Sequence, residues 1–232
     1  MRRVFIAVGL AMLIACSRES TPASGTSAPP SPAGAPAAPR SDEPSTDGRP
    51  RIVFLGDSIT AGLGLPTDQN YPSLIGKKLT ASGLAYAVVN AGVSGDTSAA
   101  GLRRVDWSLD GDVRLLIVAL GGNDGLRGLP PAELKKNLAA VLDRARSRQI
   151  PVILAGMEAP PNNGPDYTRA FRSVYSDLAA EYQVRFIPFL LQGVAGDPSL
   201  NQADGIHPNA QGAEIVADLV WKELEPALAR RN

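Results

Sequence analysis

The sequence predicts an α/β fold, a three-layer α/β/α sandwich around a parallel sheet of about five strands. Two observations lead to this prediction. Five short, continuous apolar runs recur along the chain, as expected for strands that are covered on both faces. Amphipathic segments separate the runs, and most gaps can hold one crossover helix. The predicted strands are residues 52–55, 87–89, 115–120, 152–155 and 184–188.

Apolar residues at helical spacing predict four helices between and after these strands. The tryptophans Trp107 and Trp221 and the tyrosines are expected on the apolar faces of helices, in the core. The helical positions are Tyr71, Leu74, Ile75 and Leu79; Leu134, Leu138, Val141, Leu142 and Ala145; Phe171, Val174, Tyr175, Leu178 and Tyr182; and Val216, Leu219, Val220 and Leu224.

Residues 1–16 have the features of a bacterial lipoprotein signal. Arg2 and Arg3 precede an apolar run that ends at Ala15 and is shorter than the roughly 20 residues of a membrane span. The segment Leu-Ile-Ala-Cys at 13–16 resembles a lipobox, in which the cysteine becomes the lipidated first residue. We therefore expect Cys16 to anchor an exported protein to a membrane, facing the periplasm or the cell exterior. The alternative is a cytosolic protein with an incidental thiol.

Residues 17–50 are rich in Pro, Ala, Ser, Gly and Thr and have no apolar periodicity. Such a segment cannot bury enough apolar surface to fold, so it predicts a disordered tether. Its reach is roughly 30 Å as a coil and about 100 Å when extended. Residues 51–232 then form a single domain.

The charge of the chain argues against nucleic-acid binding. Without residues 1–15 there are 21 basic and 23 acidic residues, a formal charge of −2. No basic patch and no long run of one charge is present, so a nucleic-acid partner is not expected. We expect a monomer.

An unusual polar motif follows each predicted strand. In open parallel sheets, binding sites form at the carboxyl ends of the strands, so these motifs should meet at one edge of the sheet. The motifs are residues 56–58, 90–97, 121–124, 158–164 and, beyond a loop, 204–208.

Residues 204–208 contain His207, the only histidine of the chain. Histidine is the usual proton shuttle near neutral pH, and Gly205 allows a turn that brings Asp204 to one ring nitrogen. Ser58, in a strand-to-helix turn, is the candidate nucleophile. The alternatives are a plain turn that leads into the last helix, with Pro208 at its first position, and an N-cap role for Ser58.

Donors for a developing oxyanion are available in the same motifs. The N–H groups of Ser58 and Gly95 and the side-chain amide of Asn123 are candidates, although ordinary turn chemistry also explains both Gly95 and Asn123.

Besides Asp204, the acidic residues of these motifs are Asp57, Asp96, Asp124 and Glu158. With one histidine and no cysteine after Cys16, they do not predict a metal site. We expect these acids to bond to backbone N–H groups and to hold the loops.

Together these motifs resemble those of the SGNH (GDSL-type) hydrolase superfamily. Residues 56–62 resemble its first block, residues 121–124 its third and residues 204–208 its fifth. The glycine of the second block maps onto Gly95, with Gly92 as the competing choice. Residues 94–98 and 121–128 are most similar to the thioesterase, lysophospholipase and arylesterase branch.

This resemblance implies a flavodoxin-like sandwich and a serine esterase that hydrolyses carboxylic esters or thioesters of small molecules or lipids, without a cofactor. It implies a Ser58–His207–Asp204 triad and an oxyanion hole formed by Ser58, Gly95 and Asn123. The candidate substrate contacts are Asp57, Asp124, Leu126, Glu158 and Pro160.

Alternatives remain open at this point. One is a carbohydrate acetylesterase that uses the same triad, and another is a non-catalytic lipoprotein that binds acyl chains. A cytosolic acyl-CoA thioesterase fits the motifs but conflicts with the export signal. Glu158 stands where the close relatives tend to carry a basic residue. This difference weakens the inference that the chain shares their substrates.

Overall fold

The structure, a computed structural model, describes residues 48–229. The predicted signal, the predicted lipidation site Cys16 and residues 17–47 of the predicted tether lie outside the described residues. Within the described range, no helix is long and apolar enough to cross a membrane.

Five parallel strands form the central sheet, as the apolar runs predict. In space their order is β2-β1-β3-β4-β5, so the chain reverses direction across the sheet after β2 and leaves a crevice between β1 and β3. The strands are β1 (Arg51–Gly56), β2 (Ala87–Gly92), β3 (Val113–Ala119), β4 (Val152–Ala155) and β5 (Arg185–Ile187).

Helices cover both faces of this sheet, and the predicted α/β sandwich is confirmed. One layer contains α3, α5 and α6, which pack side by side, while α2 packs against α7. The helices are α1 (Ser58–Ala61), α2 (Tyr71–Ala81), α3 (Ser98–Ser108), α4 (Gly122–Leu126), α5 (Pro131–Ser147), α6 (Pro165–Tyr182) and α7 (Ala210–Ala229).

The four predicted helices leave out α1, α3 and α4, and periodicity could not reveal α1 and α4 because each is a single turn of helix. Both follow a strand almost directly, α1 after β1 and α4 after β3. They therefore lie at the carboxyl ends of the two strands that border the crevice, which is where the sequence predicts the site.

The core lies between the sheet and the two helical layers. Residues 52–55 of β1 have no exposed surface, which explains why this strand is apolar without alternation. On α5, the predicted apolar positions Leu134, Leu138 and Val141 are likewise fully buried. The edge strand β2 is only partly covered, and Ala87 and Ala91 are its buried residues.

Trp107 is an exception to the predicted core, because its side chain is 53% exposed. On α3 the buried positions are Ser98, Gly101, Val105 and Ser108, which follow helical spacing and face inward. Trp107 lies off this stripe and faces solvent. The expectation that it belongs to the core is therefore wrong.

Two helical glycines allow a matched test of this packing. A methyl group at Gly101 in α3 would overlap the buried side chain of Leu120, whereas at Gly76 in α2 its nearest neighbour would be Val88 at 3.6 Å. We expect Gly101→Ala to lower the free energy of unfolding by about 1–3 kcal/mol. Gly76→Ala should raise it by about 0.5–1 kcal/mol, because alanine favours a helix. Urea unfolding of both variants measures this, and equal effects would contradict the packing described.

Candidate active site

Ser58 is the first residue of α1, directly beyond the end of β1. The helix is capped by Asp57, whose Oδ1 accepts the N–H of Ile59 at 3.0 Å. At its other end Gly62 adopts a left-handed conformation (φ 77°) and donates its N–H to the carbonyl of Ser58. The alternative interpretation of Ser58 as the N-cap is therefore wrong, and its hydroxyl is free for another partner.

That partner is His207, 149 residues further along the chain. Its Nε2 lies 2.8 Å from the Oγ of Ser58, and its Nδ1 lies 2.6 Å from Oδ2 of Asp204. An ionised carboxylate only accepts hydrogen bonds, so Nδ1 donates to Asp204 and Nε2 accepts from the serine hydroxyl. The structure thus brings together the three residues of the predicted triad, in hydrogen-bonded order.

Asp204 also organises the turn that carries His207. Its Oδ1 accepts the backbone N–H groups of Ile206 at 2.9 Å and of His207 at 3.0 Å. These two backbone bonds, with the His207 side chain as a further contribution, lower the pKa of Asp204 to about 2. An ordinary aspartate is already ionised at neutral pH, and the lowered pKa keeps this carboxylate ionised to lower pH. Since α7 begins only at Ala210, Pro208 is not its first residue.

Gln202 fixes this turn relative to α1, a role that the sequence did not indicate. Its backbone N–H donates to the carbonyl of His207 at 2.7 Å. Its side-chain amide donates to the carbonyl of Leu63 at 2.7 Å and to that of Pro208 at 3.0 Å. The side chain of Gln202 is thus hydrogen-bonded to both the histidine turn and the turn after Ser58, and it fixes their relative position.

The candidate oxyanion donors lie at the same edge. Within residues 48–229 the N–H groups of Ser58 and Gly95 donate to no protein acceptor, and Gly95 is left-handed with φ 84°. The N–H of the competing Gly92 instead donates to Oδ1 of Asn90 at 3.0 Å. The geometry therefore favours Gly95 over Gly92.

The amide of Asn123 projects from α4 toward the loop that contains Gly95. Its Nδ2 donates to the carbonyl of Asp96 at 3.0 Å, which leaves its second N–H for another acceptor. Arg127 donates to the carbonyl of Gly95 at 2.9 Å from the exposed side of the loop. Both contacts hold the loop against α4.

Asp124 does not contact a substrate groove, which corrects the expectation from the sequence. Its carboxylate is buried and accepts two bonds from Ser98, from the hydroxyl at 2.5 Å and from the backbone N–H at 2.7 Å. Asn137 donates to the same hydroxyl at 3.0 Å. The network connects the start of α3 to α4, so Asp124 supports the loops, as expected of these acids.

A groove of about 620 Å³ opens beside Ser58 and His207. Of the remaining candidate contacts, Leu126, Glu158, Pro160 and the largely buried Asp57 border it. Glu158 forms an ion pair with Arg172 at 3.0 Å. The walls are mainly apolar, and include Ile59, Leu126, Met157, Ala159, Pro160, Pro161, Phe189, Leu191 and Ile206.

The sequence did not identify Phe189 and Leu191 as groove residues. They follow β5 directly, and an apolar segment after a strand gives no sign of whether it lines a groove or fills the core. Their position could be recognised only from the fold.

Asp57 is a strongly buried acid at the border of the groove. Burial raises its pKa to about 6, although the N–H of Ile59 and the nearby His207 act in the opposite direction. Among the described residues, no cluster of three His, Cys, Asp or Glu side chains is arranged to hold a metal ion.

Comparison with known proteins gives consistent results. The sequence model of the GDSL-like lipase/acylhydrolase family matches residues 54–215. The chain is 45% identical to esterase TesA of Pseudomonas aeruginosa over 178 residues, 76% of this chain and 89% of that protein. It is 36% identical to thioesterase 1/protease 1/lysophospholipase L1 of Escherichia coli over 176 residues, 75% and 83% of the two chains. A crystal structure of TesA superposes with a TM-score of 0.73 at 44% identity, covering 76% of this chain and 99% of that one.

The buried Asp57 predicts a pH-dependent stability. Because its pKa is about 6 in the folded chain and 3.8 when unperturbed, the folded state binds this proton more tightly. The contribution is fully present below the unperturbed pKa and is lost as the pH rises through about 6. Asp57→Asn keeps a capping side chain and cannot ionise. Its free energy of unfolding, relative to wild type, should rise by up to about 3 kcal/mol between about pH 4 and pH 7.

Asp204→Asn is the control, because the pKa shift of Asp204 is opposite in direction to that of Asp57. The lowered pKa of Asp204 stabilises the fold above its unperturbed value of 3.8, and this contribution is lost as the pH falls through about 2. The variant should therefore be less stable than wild type at neutral pH. Urea unfolding across the pH range measures both, and an Asp57→Asn curve parallel to wild type would contradict the burial effect.

Proposed function

The chain belongs to the GDSL-like lipase/acylhydrolase family and is a serine esterase, and we propose that Ser58 is its nucleophile, His207 its general base and Asp204 the residue that orients His207. One observation carries this assignment: the His207 ring bonds to Ser58 at 2.8 Å through one nitrogen and to Asp204 at 2.6 Å through the other. Each nitrogen thus has the partner that acyl transfer requires.

In the first half of the reaction, the Oγ of Ser58 attacks the carbonyl carbon of the ester while its proton passes to Nε2 of His207. Asp204 accepts the Nδ1–H bond and stabilises the imidazolium that forms. The N–H groups of Ser58 and Gly95 and the amide of Asn123 donate to the oxyanion. As the tetrahedral intermediate collapses, Nε2 returns its proton to the leaving alcohol or thiol.

In the second half, water replaces the leaving group. His207 takes a proton from this water, which attacks the acyl group on Ser58, and the same donors stabilise the second oxyanion. Collapse releases the carboxylic acid and returns the proton to Ser58. No cofactor takes part in these steps.

We further propose that the groove holds the acyl chain of the substrate. Its apolar walls, which include Leu126, Phe189 and Leu191, gain free energy when they bury methylene groups. Recognition of a sugar ring requires several polar contacts, and the groove offers few polar side chains, with Glu158 already paired to Arg172. The groove therefore favours esters of longer acyl chains over acetylated carbohydrates.

The chain is proposed to act at a membrane through lipid on Cys16, facing the periplasm or the cell exterior. This rests on the sequence of residues 1–16. The site is at the carboxyl end of β1, whereas the tether joins the amino end at Arg51. A tether of residues 17–50 would leave the groove at the sheet edge opposite to its attachment, accessible to esters from solution or from a lipid surface.

Ser58→Ala should abolish hydrolysis of a nitrophenyl ester, with kcat reduced by at least about 10³-fold, because the nucleophile is lost. A fluorophosphonate probe should label wild type at Ser58 and should not label the variant. The matched control is Ser176→Ala, an exposed serine of α6, which should retain full activity. Full activity of Ser58→Ala would refute the mechanism, and absence of labelling in wild type would favour a non-catalytic acyl-binding protein.

Leu126→Ala should reduce turnover of long acyl chains selectively. Its side chain is 50% exposed, so truncation should not unfold the domain. We expect kcat/KM for an octanoyl ester to fall roughly 3- to 10-fold relative to an acetyl ester, because buried methylene contacts are lost. Leu129→Ala, 37% exposed and outside the groove lining, is the control. Equal losses for acetyl and octanoyl esters, or a preference of wild type for acetylated sugars, would contradict the assignment.

A further inference from the structure

We propose that Arg104 is a positioning residue for acyl transfer, which it serves by fixing the oxyanion loop, residues 94–97, relative to the nucleophile strand. This inference rests on the proposed function of that loop. Arg104 lies on α3, and its side chain is only 18% exposed. It is absent from the groove lining, so it acts through other residues.

The guanidinium of Arg104 uses all three of its nitrogens. Nε donates to Oδ2 of Asp96 at 2.7 Å, Nη1 to the carbonyl of Ala91 at 2.6 Å and Nη2 to the carbonyl of Gly56 at 2.8 Å. Guanidinium donors are held in one rigid plane, so the three acceptors are fixed relative to one another.

The three acceptors belong to the parts that must be aligned for catalysis. Gly56 ends β1, two residues before Ser58, and Ala91 lies near the end of β2, which leads into the oxyanion loop. Asp96 follows Gly95 in that loop. Arg104 therefore connects the strand that carries the nucleophile with the loop that carries an oxyanion donor.

Asp96 extends this alignment to the third donor. Its side chain is held by Arg104, and its backbone carbonyl accepts the amide of Asn123 at 3.0 Å. A shift of Asp96 would thus move the Gly95 N–H and the Asn123 amide together. The Arg104–Asp96 pair is largely shielded from water, with 18% and 14% exposure, so it is less screened than a surface ion pair.

Oxyanion donors act on the transition state more than on the bound ester, which separates a positioning role from a structural one. Removal of one oxyanion donor typically costs about 10²- to 10³-fold in rate, so its displacement should cost less, roughly 10-fold or more. The loss should appear in kcat, with KM nearly unchanged. A role in stability alone would leave kcat of the folded protein at the wild-type value.

The test uses two variants. Arg104→Lys retains the charge but cannot make all three hydrogen bonds, and Arg104→Met removes the charge and the hydrogen bonds. We expect kcat for a nitrophenyl ester to fall roughly 10-fold in the lysine variant and further in the methionine variant, with KM within about twofold of wild type. Affinity for a boronic acid that mimics the tetrahedral intermediate should fall in parallel. The control is Arg103→Met, because the exposed guanidinium of Arg103 donates, among residues 48–229, to the carbonyl of Ala99 in its own helix.

A second variant reports on the same contact from the other side. Asp96→Asn retains an acceptor but removes the charge, and it should reduce kcat in the same sense. Because both changes break one contact, the double variant Arg104→Lys/Asp96→Asn should lose less than the product of the single losses. If Arg104→Met does not fold, the lysine variant and this cycle decide the question.

Three outcomes are distinguishable. If wild type is labelled by fluorophosphonate at Ser58 but folded Arg104→Lys keeps its kcat and boronic acid affinity, the Arg104 proposal is overturned and the triad stands. If wild type is not labelled, the proposed function itself fails. If the fold losses of the double variant in kcat and in boronic acid affinity equal the product of the single-variant losses, the route through Asp96 is overturned.

Discussion

The burial of β1 is the constraint on which the rest of the site depends. Residues 52–55 have no exposed surface, and the strand is hydrogen-bonded to β2 on one side and β3 on the other. Its carboxyl end is therefore firmly held at this edge of the sheet. Ser58 follows that end by two residues, so the position of the nucleophile is fixed by the core. Asp204 and His207 are on one loop, Gly95 is on another and Asn123 is on the short helix α4, so each must be brought to Ser58.

Each of those loops is fixed by a polar side chain that is outside the groove or behind it. Gln202 bonds the histidine turn to the segment after α1, and Asp124 joins the start of α3 to α4 through Ser98. Arg104 bonds the ends of β1 and β2 to the oxyanion loop. Most acceptors in these contacts are backbone carbonyls, so the loops are held by their main chain and their functional side chains are left free for chemistry.

The sheet and the three triad residues were predictable because their signals are local or unique. An apolar run marks a strand wherever it packs, and a single histidine leaves no choice of base. The turns after two of the strands offered Gly95 and Asn123 as candidate oxyanion donors, and the family motifs favoured this role over ordinary turn chemistry. The structure changes the interpretation of residues whose role depends on tertiary packing. Asp124 was indistinguishable in sequence from a groove acid, yet it is buried against Ser98, and Trp107 has an apolar side chain on a helix, yet it faces solvent.

The triad contains one short-range and one long-range contact, and this difference has a consequence for assembly. Asp204 and His207 are three residues apart in one turn, so their bond and the backbone bonds around it need no other part of the chain. The bond to Ser58 joins segments 149 residues apart and exists only when both sheet and loops are in place. The acid–base pair is thus a local unit, whereas its contact with the serine depends on the assembled fold. The hydrogen bond of the serine hydroxyl, more than the state of the imidazole–carboxylate pair, distinguishes a correctly assembled enzyme from a partly folded chain.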